Sequence, residues 1–278
     1  MLKKFFIFSK EDCFSNNVFS ELKNELNTKL KLVEKNTEYS LFSFNDDTNF
    51  IYFDKMHLNL DSSKYEILNQ EKSVYFFSSK HKSKAGPSYF TIHFTGCYLK
   101  ADLGGQDNTL SLALPELKDL FLWADTKEIK HFVEVTHHGP LFLRPHLYIE
   151  VGPDEASWAN PTLLKAYISW IKPLFTKEIE LQNKPGAILI GGSHYFDFEE
   201  IRKIEERSKA SIGHIIPKYI LTQIEDNNLL QKTILEAITK TLNCKKILIN
   251  RGYVAKYSDL LAVVSEINSN KQYEVVIL

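Results

Sequence analysis

The stretch His131-Phe132-Val133-Glu134-Val135-Thr136-His137-His138-Gly139-Pro140 decides the fold. Its first five residues are a short apolar run interrupted by one carboxylate, the pattern of a buried strand bounded by turn residues. Gly139-Pro140 ends the run at once, just after two adjacent histidines. The pattern returns further along, where the apolar run Ala187 to Ile190 gives way to Gly191-Gly192-Ser193-His194-Tyr195. In open α/β sheets, binding and chemistry collect beyond the carboxyl ends of the strands. Two strand ends that lead into histidine and glycine point to one shared site, and to an enzyme more than to a passive binding module.

Outward from these two passages, glycine and histidine are unevenly spread. Ten of the 11 glycines lie between Gly86 and Gly213, and eight of the nine histidines between His81 and His214. Glycine serves tight turns and close approach of backbone to ligand, and histidine serves proton transfer and metal ligation near neutral pH. The middle of the chain is therefore the working part, and the flanks are scaffold. Strands are expected at Lys3–Ser9, Tyr39–Phe44, Asn49–Phe53, Ser73–Phe77, Tyr89–Phe94, His131–Val135, Leu147–Val151, Ala187–Ile190, Ser211–Ile216, Lys245–Asn250 and Tyr273–Leu278. Helices are expected at about Asn16–Leu30, from Pro115 through roughly Asp125, up to Trp170 behind an Asp154 or Asn160 cap, and at Asp197–Ser208, Leu229–Leu242 and Ser258–Ile267. Alternation of strands and helices through the second half makes the class α/β. One domain over residues 1–278 is expected, a mixed sheet flanked by helices, with its motif-bearing core at about 75–220.

Bulk properties fit a soluble globular protein. The 278 residues are 44% hydrophobic and 25% charged, with a formal charge of −1, so net charge does not announce a nucleic-acid partner. No apolar run approaches the roughly 18 residues of a membrane span. The apolar start at Phe5–Phe8 is too short for a signal core and is cut off by Ser9-Lys10-Glu11-Asp12. Cys13, Cys97 and Cys244 are odd in number, far apart and form no Cys-x-x-Cys, which fits reduced thiols in a cytoplasmic protein and argues against a thiolate zinc site. The only arginines are Arg144, Arg202, Arg207 and Arg251, so phosphate recognition would fall mainly to lysine.

His137 and His138 would point to opposite faces if their strand continued, but Gly139-Pro140 allows both to turn inward. Glu134 could orient a histidine, bind a metal or act as a base, or else sit on a solvent-facing edge; Glu150 stands in the same position on the next strand. Gly191, Gly192, Ser193 and His194 offer backbone N–H groups, a hydroxyl and an imidazole to a phosphate or an oxyanion. Gly-x-Ser-x-Gly is absent, so a serine triad is not the preferred reading. Lys80, His81 and Lys82 lie in a polar basic loop that could contact an anion or a tRNA backbone, or simply be solvated. Asp102, before Gly104-Gly105, is either a ligand or a turn residue.

Taken in order, Ser79-Lys80-His81 with Ala85-Gly86-Pro87, Thr91-Ile92-His93, Ala101-Asp102-Leu103-Gly104-Gly105, Leu110 to Pro115, Glu134 to Pro140, Glu150-Val151-Gly152 before Trp158, Gly191 to Tyr195, and Gly213-His214-Ile215-Ile216-Pro217-Lys218-Tyr219 resemble the D-aminoacyl-tRNA deacylase family of archaea and plants. The resemblance covers roughly residues 75–220, and the Thr-His-His-Gly-Pro and Gly-His-Ile-x-Pro-Lys-Tyr pieces are its specific parts. It implies hydrolysis of the ester that joins a D-amino acid to the 3′ end of tRNA, zinc dependence, and an α/β core similar to phosphorylases and peptidyl-tRNA hydrolases. On that basis His137, His138, Glu134 and His194 are the catalytic candidates. His93, His137, His138 and His194 could ligate zinc, with Glu134 as ligand or base; a histidine as direct general base is the metal-free version. His81, Lys80, Lys82, Gly191, Gly192, Ser193, His214 and Lys218 are the substrate-binding candidates. The chain departs from the family where Ser193 replaces a third glycine, where Phe196-Asp197-Phe198 replaces Ala-Pro-Arg, and where Cys97 replaces an asparagine. A cytoplasmic monomer acting on D-aminoacyl-tRNA is expected. The rivals are a nucleoside phosphorylase-like enzyme, whose glycine turns would hold phosphate, and a non-catalytic tRNA-binding protein.

Overall fold

A computed structural model describes residues 2–84, 86–122, 129–179, 184–254 and 258–278. Ala85 and the expected helix end at Trp123–Asp125 lie outside the described residues. The chain is made of two compact units, each assembled from separated stretches: residues 1–92, 124–132 and 142–181 in the first, and 93–123, 133–141 and 182–278 in the second.

The first unit is built on a mixed sheet in which Tyr89–His93, His146–Gly152, Ser73–Lys80, Lys3–Ser9, Thr48–Phe53, Tyr39–Ser43 and Lys31–Lys35 follow one another. His146–Gly152, Ser73–Lys80, Lys3–Ser9 and Thr48–Phe53 run parallel; the last two strands are antiparallel. The central strands are apolar on both faces, as strands covered on both sides must be. On one face Phe5, Ile7, Tyr75, Phe77 and Tyr148 share a core. On the other, Phe6 stacks on Phe76 at 5.0 Å and meets the edge of Phe175 at 4.6 Å. The helix Cys13–Glu25 starts earlier than its leucine spacing indicates, because the Asp12 carboxylate accepts from Ser15 N at 2.9 Å and caps it. Asp154 and Asn160 are both caps: the first opens the single turn Glu155–Trp158, the second the helix Pro161–Ile171. The strand Lys31–Lys35 was not expected; all five of its residues are exposed, so it lacks the apolar alternation by which strands are read.

The second unit has a parallel sheet in the order Ser211–Ile216, Gly186–Ile190, Cys244–Ile249, Glu274–Ile277. Asp226 caps the helix Asn227–Lys240 by accepting from Leu229 N at 2.8 Å. Ile234, Ala237 and Ile238 of this helix, with Leu260, Val263 and Val264 of Ser258–Ile267, bury Ile188, Ile190, Ile247 and Ile249 of the sheet. The chain is thus mixed α/β, as expected. No helix among the described residues is long and apolar enough to cross a membrane.

Candidate active site

His93, Glu134, His137, His138 and His194 converge within the second unit. Glu134 closes the strand Lys130–Glu134, and Val135 N bonds to His194 O at 3.1 Å, which ties the two histidine-bearing passages together. Thr95 and His137 form an isolated parallel bridge, and Gly96 N bonds to His138 O at 2.7 Å. The strand geometry therefore ends where the two histidines begin. His138 has φ 39°, a left-handed conformation that a side-chain-bearing residue adopts at a cost. That turn brings its ring to 4.5 Å from His137, while His93 lies 4.3 Å and 4.8 Å from the two rings. Both histidines of the pair face one site.

Gly139 permits this packing. A Cβ there would lie 2.2 Å from Gly104 C and Gly105 N, so the 104–105 backbone crosses directly over it. Asp102 fixes that loop with its carbonyl oxygen, which accepts from Gly105 N at 2.8 Å and from Gly139 N at 3.1 Å. Of the two roles open to Asp102, the backbone shows the turn.

Glu134 is 2% exposed, which rules out a solvent-facing edge. Its Oε2 accepts from His194 Nε2 at 3.0 Å and lies 3.5 Å from His137 Nε2. His137 Nδ1 lies 2.8 Å from Val135 O, His93 Nδ1 3.2 Å from Phe94 O, and His138 Nδ1 2.5 Å from Gly139 O. A carbonyl only accepts, so in all three rings Nδ1 carries a hydrogen, and the neutral ring then has its lone pair on Nε2. Burial first, and the neighbouring His93 and His138 next, hold His137 well below the usual histidine range, so it is neutral. Its Nε2 lone pair then faces a carboxylate oxygen across 3.5 Å, an electrostatic conflict that a cation would relieve. The donor atoms of His93, His137 and His138 lie within 4.8 Å of one another, as do those of Glu134, His137 and His194. Nitrogen and oxygen donors of this kind suit zinc.

Other expected site residues are placed differently. His214 is fully buried. Its Nε2 donates to Ser111 O at 2.9 Å and its Nδ1 accepts from Thr136 Oγ1 at 2.9 Å, so both nitrogens are spent on the protein and it is not a substrate contact. Gly191 donates its N–H to Ile216 O at 2.8 Å, and a Cβ on Gly192 would meet Phe196 Cζ at 2.1 Å. The glycine pair, with φ 101° and 113°, therefore makes a turn that admits the Phe196 ring; the Gly191 N–H is not available to an anion. Ser193 Oγ donates to Tyr195 O within its own loop. Lys218 is exposed at the start of the single turn Lys218–Leu221. In the first unit, the strand Ser73–Lys80 runs through residues expected in a loop. His81 Nδ1 pairs with Glu150 Oε2 at 2.9 Å, and Lys80 Nζ sits 5.3 Å over the Trp158 ring. Lys82 is exposed.

Sequence reasoning passed over Thr136 and Tyr219. Tyr219 packs nearly parallel on His194, with ring centres 6.0 Å apart and planes 24° apart; partial burial and the Glu134 charge push its phenol up to about 12. It lines a cavity of about 560 Å3 that also touches His137 and His138. Its position directly after Pro217-Lys218 in a quoted motif was the available signal.

Comparison with known proteins identifies the family. A family model described as D-aminoacyl-tRNA deacylase matches residues 68–275. The D-aminoacyl-tRNA deacylase of Thermococcus onnurineus is 31% identical over 245 residues, 84% of this chain and 85% of that one. That of Picrophilus torridus is 31% identical over 215 residues, 74% of this chain and 76% of the relative. A crystal structure of a conserved protein of unknown function superposes with a TM-score of 0.77 at 22% identity, covering 99% of this chain and 95% of that one, and so shares the fold. With a matched model over most of its length and relatives at this identity, the chain belongs to the D-aminoacyl-tRNA deacylase family.

Proposed function

We propose that this chain hydrolyses the ester bond of D-aminoacyl-tRNA, releasing the free D-amino acid and tRNA in the cytoplasm, with zinc held by His93, His137 and His138. The observation that carries the reading is the cluster itself: three histidines whose Nε2 lone pairs are set by Nδ1 bonds to backbone carbonyls, beside a buried glutamate. Three protein ligands with a position left for water is the pattern of catalytic rather than structural zinc. Zinc bound there would lower the pKa of a coordinated water to about 7 and polarise the ester carbonyl.

The remaining chemistry belongs to His194 and Glu134. The His194 Nε2–H points at the Glu134 carboxylate, so its Nδ1 carries the lone pair and can accept a proton. The side chain of His194 is 32% exposed and that of Glu134 is fully buried, so the histidine meets substrate and the carboxylate orients it. His194 thereby moves from the ligand set to the acid–base role. The family match favours the deacylase over the phosphorylase alternative, and the Gly191 N–H that such an enzyme could turn to phosphate is already bonded to Ile216 O.

The test is deacylation of matched D-tyrosyl- and L-tyrosyl-tRNA, with and without zinc, by wild type and His138→Ala. Selective hydrolysis of the D-ester that needs zinc and is lost in the variant supports the proposal. Hydrolysis of neither ester by folded, zinc-loaded protein refutes it.

A further inference from the structure

The cavity beside His137 and His138 has a chemistry distinct from the histidine cluster. Tyr98, Leu99, Ile220 and Leu229 give it apolar walls. Tyr219 borders it with a ring that packs on His194, and 38% of the residue is exposed. Gln223 lies on the same lining, with Nε2 donating to Tyr219 O at 3.0 Å; that bond uses one of the two N–H groups of the amide. Among the charged side chains on the lining, Lys100 is outnumbered by Asp102, Glu225 and Asp226. The cavity therefore repels a phosphodiester and favours an uncharged group.

We infer that this cavity seats the terminal adenine of the tRNA, with Tyr219 as stacking platform and Gln223 reading the base edge; the inference rests on the deacylase activity proposed above. Exposed aromatic rings bind unpaired bases through their π-faces, and a glutamine amide matches the donor–acceptor pair of adenine. The scissile ester belongs to a ribose hydroxyl on a carbon next to, or one removed from, the carbon that bears the base. A base seated in this cavity thus brings its ester to the wall formed by His137 and His138. The phosphate that precedes the terminal nucleoside stays outside the acidic lining. Because every tRNA ends in adenosine, such a seat serves all acceptors equally and leaves amino-acid discrimination to other contacts.

The experiment compares hydrolysis of 2′(3′)-O-D-tyrosyl-adenosine and 2′(3′)-O-D-tyrosyl-uridine by zinc-loaded wild type, Tyr219→Ala, Tyr219→Trp and Gln223→Ala, together with binding of adenosine and uridine followed by saturation-transfer NMR. Wild type is expected to prefer the adenosine ester by about tenfold in kcat/KM, mostly through KM, because a purine covers more of the Tyr219 ring than a pyrimidine does and, once seated there, meets the Gln223 amide. Tyr219→Ala should erase that preference and adenosine binding together, Tyr219→Trp should restore both, and Gln223→Ala should reduce the discrimination between bases. Equal treatment of the two nucleosides by wild type, or a preference that survives Tyr219→Ala, overturns the inference. An effect of Tyr219→Ala that follows the amino acid, seen by comparing D-tyrosyl- with D-alanyl-adenosine, would assign the cavity to the aminoacyl group instead. Failure of D-tyrosyl-tRNA hydrolysis refutes the proposed activity, while the NMR comparison still decides the adenine seat.

Discussion

His214 Nδ1 lies 2.9 Å from the hydroxyl of Thr136, the residue that leads directly into His137-His138. The Thr136 hydroxyl donates to that nitrogen and accepts from Ile215 N at 3.4 Å, so the strand Ser211–Ile216 grips the start of the loop that carries His137 and His138 at two points. Burial holds the imidazole neutral, lowering its pKa to about 4 from 6.5. The unfolded chain therefore takes up the proton first as pH falls. Above pH 6.5 the residue is neutral in both states and contributes no slope. Between pH 6.5 and 4 the folded state should lose roughly 3 kcal/mol relative to the unfolded one, with no further loss from this group at lower pH. Urea midpoints of wild type and His214→Gln at pH 7 and pH 4.5 measure this. The variant should start about 1–3 kcal/mol less stable, for the broken buried bonds, and should show a shallower acid slope. Equal slopes would mean that His214 does not govern acid stability.

Glu134→Gln keeps the shape of the carboxylate but removes its charge. His194 then loses the carboxylate that its Nε2–H is aimed at and that orients its ring. The expected fall in kcat for D-tyrosyl-tRNA is roughly 10²- to 10⁴-fold, with KM little changed and zinc content close to wild type, since the proposed ligands are the three other histidines. His137→Ala should instead lose bound zinc along with activity. Metal analysis of the two purified variants separates the roles; loss of zinc in Glu134→Gln would place the carboxylate among the ligands.

Gly139→Ala sets a methyl group 2.2 Å from the backbone of Gly104 and Gly105. Backbone cannot rotate aside as a side chain does, so the loop that carries His137 and His138 must move. A loss of at least roughly 3 kcal/mol is expected, at the severe end for a single substitution, together with loss of deacylation. At Gly192 the obstacle is the Phe196 ring. Phe196→Ala should therefore relieve part of the damage in a Gly192→Ala background but none of it in Gly139→Ala. Thermal midpoints of the two double variants against their single parents make the comparison.

The strand ends, the histidines and most helices were legible because each depends on residues close in sequence: an apolar run, a glycine, an aspartate or asparagine cap. The surroundings of His214 were not, because its partners Ser111 and Thr136 are 103 and 78 residues away. The glycine turn misled for a related reason. Gly191-Gly192 offers N–H groups on paper, but Ile216, on the neighbouring strand, takes the first of them. The division into two units was equally hidden, since each unit is assembled from three separated stretches and no linker composition marks the crossings. Glu134 read as ambiguous because one carboxylate in an apolar run fits an edge and a site alike until its neighbours are placed.

Lys118 gives the last prediction. It is buried, with Nζ 2.8 Å from Asp119 Oδ1 and also paired to Glu205. Glu205 Oε1 accepts in turn from Ile212 N at 2.7 Å, and Asp119 Oδ2 accepts from Ser211 Oγ. The charges thus join the helix Pro115–Leu122, the helix Phe198–Ser208 and the first residues of the strand that holds His214. Both carboxylates point at one ammonium, so removing it leaves two like charges in a buried pocket. Lys118→Met should cost about 3–5 kcal/mol, the usual penalty for breaking a buried ion pair from one side. The loss should shrink as pH falls and the stranded carboxylates take up protons. Replacing all three together, Lys118→Met with Asp119→Asn and Glu205→Gln, should recover most of it, because no unpaired charge remains and an amide oxygen still accepts from Ile212 N. Chemical denaturation of the single and triple variants at pH 7 and pH 5 tests this. A triple variant as unstable as the single one would show that these groups fix the geometry of the strand beyond balancing each other's charge.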